Sequence, residues 1–170
     1  RNGVRHTAQG DRLSIDMTTT AGNRVRELVA QVIQSQLRQV GIELRIKADP
    51  PRIFSESLNR RQFTGLAMYA WVQSPGGVPR SLLYSPEIPS AENGWSGQNY
   101  PGYKNADMDK ALDAAERELD TEKRRGFFAD IQRLYAEDLP VLPLFFRVDP
   151  FVIPKQLKGV VPTGHLNSST

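Results

Sequence analysis

The sequence predicts an α/β fold, and three observations support this prediction. An amphipathic stretch with helical periodicity lies between two short segments, 13–17 and 42–47, in which apolar and polar residues alternate. A nearly unbroken apolar run follows at 65–71, as is typical of a strand covered on both faces. Two more amphipathic stretches lie between residues 105 and 135. The strand–helix–strand order predicts a right-handed crossover with two parallel strands.

The first of these units has clear boundaries. Asn23 is suited to cap the helix, and Gly41 is suited to end it in a left-handed conformation. The segments 13–17 and 42–47 then become the two strands. The apolar residues between the caps form one stripe at helical spacing: Val25, Leu28, Val29, Val32, Ile33, Leu37 and Val40.

The middle of the chain alternates between regular and irregular segments. Pro51 is suited to the first turn of a short helix. The apolar run 65–71 ends at Trp71, and the segment 72–79 must leave the sheet because it holds two prolines and two glycines. Residues 74–105 are rich in Gly, Pro, Ser and Asn, and their length predicts a structured excursion that lines a ligand or an interdomain face.

Two helices close the regular part of the chain. Asn105 or Asp107 is expected to cap the first and Asp120 the second, which Pro140 should end. The run 141–146 resembles a further buried strand, with its internal proline confining it to an edge or a crossing point. The apolar faces of the two helices are Met108, Ala111, Leu112, Ala115 and Leu119, and Phe127, Phe128, Ile131, Leu134 and Tyr135.

Composition narrows the class of protein. Hydrophobic residues make up 39% and charged residues 24%, as in ordinary globular proteins, and no run approaches the roughly 18 apolar residues of a membrane span. The net charge is +3, but the basic residues are scattered, so nucleic-acid binding is not expected. The sequence has no Cys, which excludes disulfides, thiolate metal sites and Cys nucleophiles. The polar start without Met suggests a fragment of a longer protein.

Residue patterns that indicate catalysis are weak. His6 and His165 have no neighbours at metal-ligand spacing. The segment 94–98 approaches the Gly-x-Ser-x-Gly nucleophile motif, but Gln98 replaces the last glycine and no strand precedes it, which favours a loop. Asp107 and Asp109 lie at a helix start, where carboxylates favour capping over acid–base work. We therefore expect no catalytic residue, no metal site and no cofactor.

The candidate ligand contacts are aromatic and polar residues at and after the end of the run 65–71. A strand that ends in an aromatic residue and a polar loop is where open α/β sheets bind ligands, and small-molecule pockets combine aromatic faces with a few polar groups. For Tyr69 and Tyr103 the alternative is a core aromatic with a hydrated hydroxyl. The candidates are Trp71, Ser74, Gln73, Tyr69, Asn99, Tyr100 and Tyr103.

Taken together and in this order, the segments resemble one known family. It comprises the large extracytoplasmic solute-binding proteins of peptide and nickel ABC importers, solute-binding protein family 5, and the resemblance is to their C-terminal lobe. The match covers almost the whole chain in the order of the family. The segments that carry it are Asn2–Arg5, Gly10–Leu13, Gln39–Leu44, Phe63 with the run to Trp71, Gly102–Asn105, Asp109, Arg124 or Arg125, and Asp138–Leu144.

This resemblance implies a periplasmic-binding-protein-like (type II) lobe with a mixed sheet and flanking helices, within a larger two-lobed protein. Residues 1–146 would form part of the C-terminal lobe, and 147–170 would be a loop-like segment leading back towards the hinge and the other lobe. A peptide-like or other small solute would bind between the lobes, and closure would present both to a membrane permease. The parent protein would be periplasmic or otherwise extracytoplasmic, and not an enzyme.

One departure from the family bears on the ligand. Peptide-binding members carry an Asp three positions after the strand-end Trp, where it pairs with the α-ammonium of the peptide; here that position is Ser74. A hydroxyl cannot neutralise a buried ammonium. The ligand is then not an ordinary peptide held by a free amino terminus, or the other lobe supplies the charge. Two other classes remain open: a sensing or protein-interaction module on the same fold, and an α/β enzyme.

Overall fold

A computed structural model describes residues 3–72, 77–146 and 152–159. In chain order the elements are β1 (Ser14–Thr20), α1 (Arg24–Gln39), β2 (Glu43–Asp49), α2 (Pro51–Asn59), β3 (Leu66–Met68), α3 (Arg80–Leu83), a short 3-10 turn (Ser85–Glu87), α4 (Ala106–Arg117) and α5 (Thr121–Asp138). The three strands form a parallel sheet in the order β2-β1-β3. No helix within those ranges combines the length and the apolarity that crossing a bilayer requires.

The predicted strand–helix–strand unit is confirmed. β1 and β2 pair in parallel from Ser14 with Glu43 to Thr20 with Asp49. The side chain of Asn23 accepts a hydrogen bond from the backbone N–H of Arg26 at 3.1 Å and caps α1 as expected. Gly41 follows the helix with φ +78°, the left-handed conformation predicted for it. The one antiparallel pairing in the described residues is an isolated bridge between His6 and Arg12.

The apolar stripe of α1 is wider than its contact with the sheet. Val29, Ile33 and Leu37 pack against a buried cluster that includes Met17 and Leu44. Val25, Leu28, Val32 and Val40 are exposed, so the rest of the protein covers only part of the predicted stripe in the described residues. Periodicity identifies the helix, but the width of the sheet determines how many of its apolar residues are covered.

α2 packs beside β3 and begins at Pro51 as predicted. Its buried residues Phe54 and Leu58 form a cluster with Tyr100, against which Ala67 and Tyr69 pack. Gly65 allows β3 to approach β1, because its φ is +69° and a Cβ atom there would lie 2.3 Å from the backbone O of Asp16.

The apolar run 65–71 is not the doubly covered strand that its sequence indicates. Only Leu66–Met68 pair with β1, and Leu66, Trp71 and Val72 are exposed. β3 is an edge strand of the sheet, and the chain leaves that edge directly after Met68. The apolar run therefore predicted where the strand lies, but it predicted neither the length of the strand nor how much of it is buried.

A second core lies between α3, α4 and α5, with buried residues such as Leu83, Leu112 and Ile131. The predicted caps are found: Asn105 accepts from the N–H groups of residues 107 and 108, and Asp120 from those of residues 122 and 123. Within the excursion predicted for 74–105, the described part from residue 77 onward is held by short helical turns and loop hydrogen bonds.

The prediction of a buried strand at 141–146 is wrong. These residues have no strand pairing, and from Leu142 onward they are exposed, with Phe146 fully so. The run is anchored at its start, where the hydroxyl of Tyr135 donates to the carbonyl of Val141 at 2.7 Å. In the described part of the chain this run pairs with neither edge strand of the sheet, β2 or β3, so an apolar sequence alone could not place it there.

Candidate functional site

Three aromatic side chains meet just beyond the carboxyl end of β3, and we call Tyr69, Trp71 and Tyr100 the aromatic wall. Their ring centroids lie 6.1 Å (Tyr69–Trp71), 5.9 Å (Tyr69–Tyr100) and 6.3 Å (Trp71–Tyr100) apart, each pair edge to face. Such contacts are favourable because the positive edge of one ring meets the negative face of the next. Tyr100 is 8% exposed and Trp71 37% exposed, so Trp71 presents the accessible part of the wall.

The parallel sheet positions Tyr69 and Trp71. The side chain of Thr19 in the central strand donates to the carbonyl of Met68 at 2.9 Å, which holds the last residue of β3. Tyr69 and Trp71 follow at the carboxyl edge of the sheet, the edge where open α/β folds bind ligands. Trp71 lies three residues beyond the end of β3, not at the end of a strand as the sequence had indicated.

Tyr100 reaches the wall through a loop organised by Asn99. The amide of Asn99 donates to the carbonyls of Tyr84 (3.1 Å) and Tyr103 (2.9 Å), and its oxygen accepts from the N–H of Tyr103 (2.9 Å). Asn99 is fully buried, and its backbone N–H donates to the carbonyl of Glu87 at 3.0 Å. A buried amide with these three side-chain hydrogen bonds holds the loop rigidly.

Arg61 holds the same loop from the other side. Its Nε donates to the carbonyl of Tyr100 at 3.1 Å. Arg61 adopts φ +52° just after α2, a conformation that costs a non-glycine residue energy. Gly102 makes room for the guanidinium, since a Cβ atom there would lie 2.1 Å from Nη2 of Arg61. No pattern of residues in the sequence indicates the left-handed conformation of Arg61 or its hydrogen bond to Tyr100. Arg61 was therefore not among the candidate residues predicted from the sequence.

The hydroxyl groups of the wall are neutral over the physiological range. Burial, with the neighbouring phenols of Tyr100 and Tyr135 adding to it, raises the pKa of Tyr69 to about 12. Burial also raises the pKa of Tyr100. Neutral phenols and an indole can pack against a ligand and donate hydrogen bonds to it.

The other candidates from the sequence lie in different settings. Asn99 adjoins Tyr100, but it is buried and offers no surface in this conformation. The hydroxyl of Tyr103 donates to Asp138 at 2.6 Å and joins α5 to the loop before α4. Gln73 and Ser74 lie outside the described residues.

The carboxyl ends of β1 and β2 add polar groups to the same edge of the sheet. Thr20 and Asp49 are buried there; Thr20 accepts a hydrogen bond from Arg26, and Asp49 pairs with Lys47 at 3.1 Å. Sequence reasoning did not select these residues, because the strands that it predicted, 13–17 and 42–47, end before them. In the described ranges, no three His, Cys, Asp or Glu side chains gather as a metal site would require.

Two solvent-open recesses occur elsewhere on the described surface. One of about 430 Å³ lies between α2 and Trp95, and one of about 230 Å³ lies along the polar face of β1 and β2. Neither recess is lined by residues of the aromatic wall. Trp71 is the partly exposed member of the wall, and a second surface would have to face it to enclose a ligand there.

Comparisons with known proteins relate the chain to peptide-binding proteins. No protein-family model matches it. It is 29% identical over 151 residues to the oligopeptide-binding protein AppA of Bacillus subtilis, covering 88% of this chain and 27% of AppA. The oligopeptide-binding protein of Thermus thermophilus, complexed with a pentapeptide, aligns with a TM-score of 0.77 at 32% identity, covering 86% of this chain and 27% of that protein.

A third likeness concerns the fold alone. NikZ of Campylobacter jejuni, in complex with Ni(L-His), aligns with a TM-score of 0.67 at 21% identity, over 81% of this chain and 28% of that protein. The expected fold class, a lobe of the type II periplasmic-binding-protein kind, is therefore confirmed. The chain spans about a quarter of the length of the curated relatives that it matches.

Proposed function

We propose that this chain, a homologue of the oligopeptide-binding and nickel-binding solute-binding proteins of family 5, forms part of the ligand-binding lobe of an ABC importer's substrate-binding protein. The observation that carries the proposal is the alignment of 86% of the chain, at a TM-score of 0.77, with a protein complexed with a pentapeptide. The ligand would be a peptide-like or other small solute, and the protein would bind it without chemical conversion.

The aromatic wall gives this proposal its site. It lies at the carboxyl edge of a parallel sheet, where the partly exposed indole of Trp71 packs against the buried ring of Tyr100. An open wall of this kind binds weakly alone, because a ligand there stays largely hydrated on its other side. Closure of a second lobe over the wall would bury the ligand. The closed form would be favoured only by the difference in ligand affinity between the closed and open forms.

The organisation of the whole protein follows from the same proposal. Residues 1–146 would be part of one lobe, and 147–170 would lead back towards the hinge and the other lobe. The protein would work outside the cytoplasm, and its closed form would dock on a membrane permease. A sensing role on the same fold would share the ligand site and differ in the partner.

The first experiment identifies the ligand and tests the wall. The full-length protein containing this chain is purified natively, and co-purifying solutes are identified by mass spectrometry and titrated by calorimetry. Trp71→Ala should weaken binding about tenfold, equivalent to about 1.4 kcal/mol, because a partly buried aromatic contact is lost. Trp95→Ala is the matched control, because Trp95 stacks with Arg60 and is not part of the aromatic wall. This variant should bind the ligand with the affinity of the wild type. Equal affinity of both variants would contradict the proposed site.

Ser74 allows a second test, on the ligand's charge. The family resemblance suggests that peptide binders place a carboxylate at this position, whereas a serine leaves an ammonium unneutralised. We therefore expect blocking the amino terminus of a bound peptide by acetylation to change its affinity little. Ser74→Asp should favour the free amino terminus. Tight binding that depends on a free amino terminus, and that Ser74→Ala does not diminish, would refute this part of the proposal.

A further inference from the structure

We propose that the aromatic wall is a rigid subsite that selects an uncharged, preferably aromatic, side chain of a peptide ligand. The inference rests on the proposed function and adds to it a chemical class of ligand group. It draws on the arrangement of the three rings, on the anchoring of their backbones and on the polarity of their surroundings.

The arrangement of the rings leaves room for packing on one surface only. Centroid distances of 5.9 to 6.3 Å, all edge to face, mean that the rings fill the space between them. A cage that encloses a cation needs separate rings with a gap, which this cluster lacks. What remains available is the exposed part of Trp71, with a smaller part of the half-buried Tyr69 beside it, and a flat apolar group can pack there edge to face or offset.

The wall is anchored on both of its backbone segments. Thr19 holds the carbonyl of Met68 at 2.9 Å, immediately before Tyr69. Arg61 holds the carbonyl of Tyr100 at 3.1 Å, and the three side-chain hydrogen bonds of Asn99 hold the adjoining loop. A site whose side chains are already held in place loses less entropy on binding, and it adapts less to ligand groups of another shape.

The surroundings of the wall disfavour a charged ligand group. Tyr100 is buried and Tyr69 is half-buried, so an ion packed against these rings would lose part of its hydration and find no neutral polar partner on the ring faces. A side chain with a carboxylate or an ammonium would lose hydration against the wall, whereas an aromatic or aliphatic side chain would gain contact area. Selection by the wall therefore favours apolar groups.

The test is a binding selection from a pool of pentapeptides with random sequence. The full-length protein is equilibrated with the pool, and retained peptides are sequenced by mass spectrometry. At one peptide position we expect Phe, Tyr, Trp and Leu to be enriched at least fivefold over Asp, Glu, Lys and Arg. Trp71→Ala should abolish this enrichment, and Trp95→Ala should preserve it. Trp71→Leu, which keeps an apolar surface, should lose the preference for aromatic over aliphatic residues and still reject charged ones.

Each other result has a defined meaning. The protein could retain peptides whose residue preferences are the same in Trp71→Ala as in the wild type at every position. This result would refute the subsite and leave the proposed function standing. Enrichment of Lys or Arg that Trp71→Ala abolishes would refute the inference, since it would assign a cation-binding role to the indole. Retention of no peptide would refute both the inference and the assignment of a peptide-like ligand. A melting curve for each variant identifies any loss of binding that follows from unfolding.

Discussion

Gly65→Ala tests how the sheet sets the position of the aromatic wall. Gly65 has φ +69°, and a Cβ atom there would lie 2.3 Å from the backbone O of Asp16. The left-handed conformation alone costs an alanine about 1 to 2 kcal/mol. The contact adds a larger cost, because the blocking atom belongs to the backbone of the central strand and cannot rotate away.

The additional cost follows from the pairing that the clash disturbs. β3 would have to move away from β1 by roughly 1 Å to relieve the contact. A shift of this size breaks the hydrogen bond from Thr19 to Met68 and weakens a pairing of only three residues. With about 1 kcal/mol for each lost bond, we expect Gly65→Ala to destabilise the chain by about 3 to 4 kcal/mol.

Gly94→Ala is the matched control for Gly65→Ala. Gly94 has φ +66° and nothing within 4 Å of the position that a Cβ atom would take, so this substitution should cost only the conformational strain, about 1 to 2 kcal/mol. Urea unfolding of the 170-residue chain, followed by circular dichroism, measures both variants. Equal losses for the two variants would refute the close approach of β3 to β1.

Three further substitutions probe contacts around the wall and between the last helices. Asn99→Asp should destabilise the chain by about 3 kcal/mol at pH 7, because a buried carboxylate would face two carbonyls. Tyr103→Phe should destabilise the chain at neutral pH by removing the hydrogen bond to Asp138, whose pKa this bond and one from Asn105 hold below its usual range. A carboxyl with a lowered folded-state pKa contributes stability above its unfolded pKa and loses it as pH falls, so the difference from wild type should shrink below about pH 4. Arg61→Gly should leave the free energy of unfolding within about 1 kcal/mol, because relief of strain offsets the lost bond to Tyr100, yet ligand affinity should fall.

Each of these substitutions has a counterpart in the chain. Asn93 donates to one carbonyl and accepts from one N–H at an exposed site, so Asn93→Asp should cost less than Asn99→Asp. Tyr135→Phe removes a hydrogen bond to the carbonyl of Val141, so its effect should not change between pH 7 and pH 3. Arg61→Lys retains the strain and removes the Nε donor, so it should lower stability more than Arg61→Gly. The reverse order for the two Arg61 variants would show that the strain is unimportant.

Local features were predictable because short stretches of sequence encode them. The caps Asn23 and Asp120 and the left-handed Gly41 were expected at the positions where they occur. In each case one residue satisfies or relieves the backbone of its own helix end, so no distant partner is needed. The parallel pairing of β1 with β2 followed from the helix that joins them.

The errors share one cause. The runs 65–71 and 141–146 are both apolar, but only Leu66–Met68 pair in the sheet, and 142–146 are exposed. Burial of an apolar run depends on a neighbouring strand or helix that the run itself does not specify. The exposed half of the α1 stripe, with Val25 and Leu28, has the same origin.

The sequence by itself determined the order of the elements from β1 to β3, the caps of α1, α4 and α5, and the aromatic residue at the end of the apolar run, because these depend on neighbours along the chain. Only the tertiary structure brought Tyr100 to within 6.3 Å of Trp71 and placed the hydrogen bond of Arg61 behind it. The first contact joins residues 29 positions apart and the second joins residues 39 positions apart. The second also requires a strained arginine and Gly102, which has no side chain to obstruct the guanidinium. Contacts between such distant segments depend on how the whole chain packs, and no local pattern of residues encodes that packing.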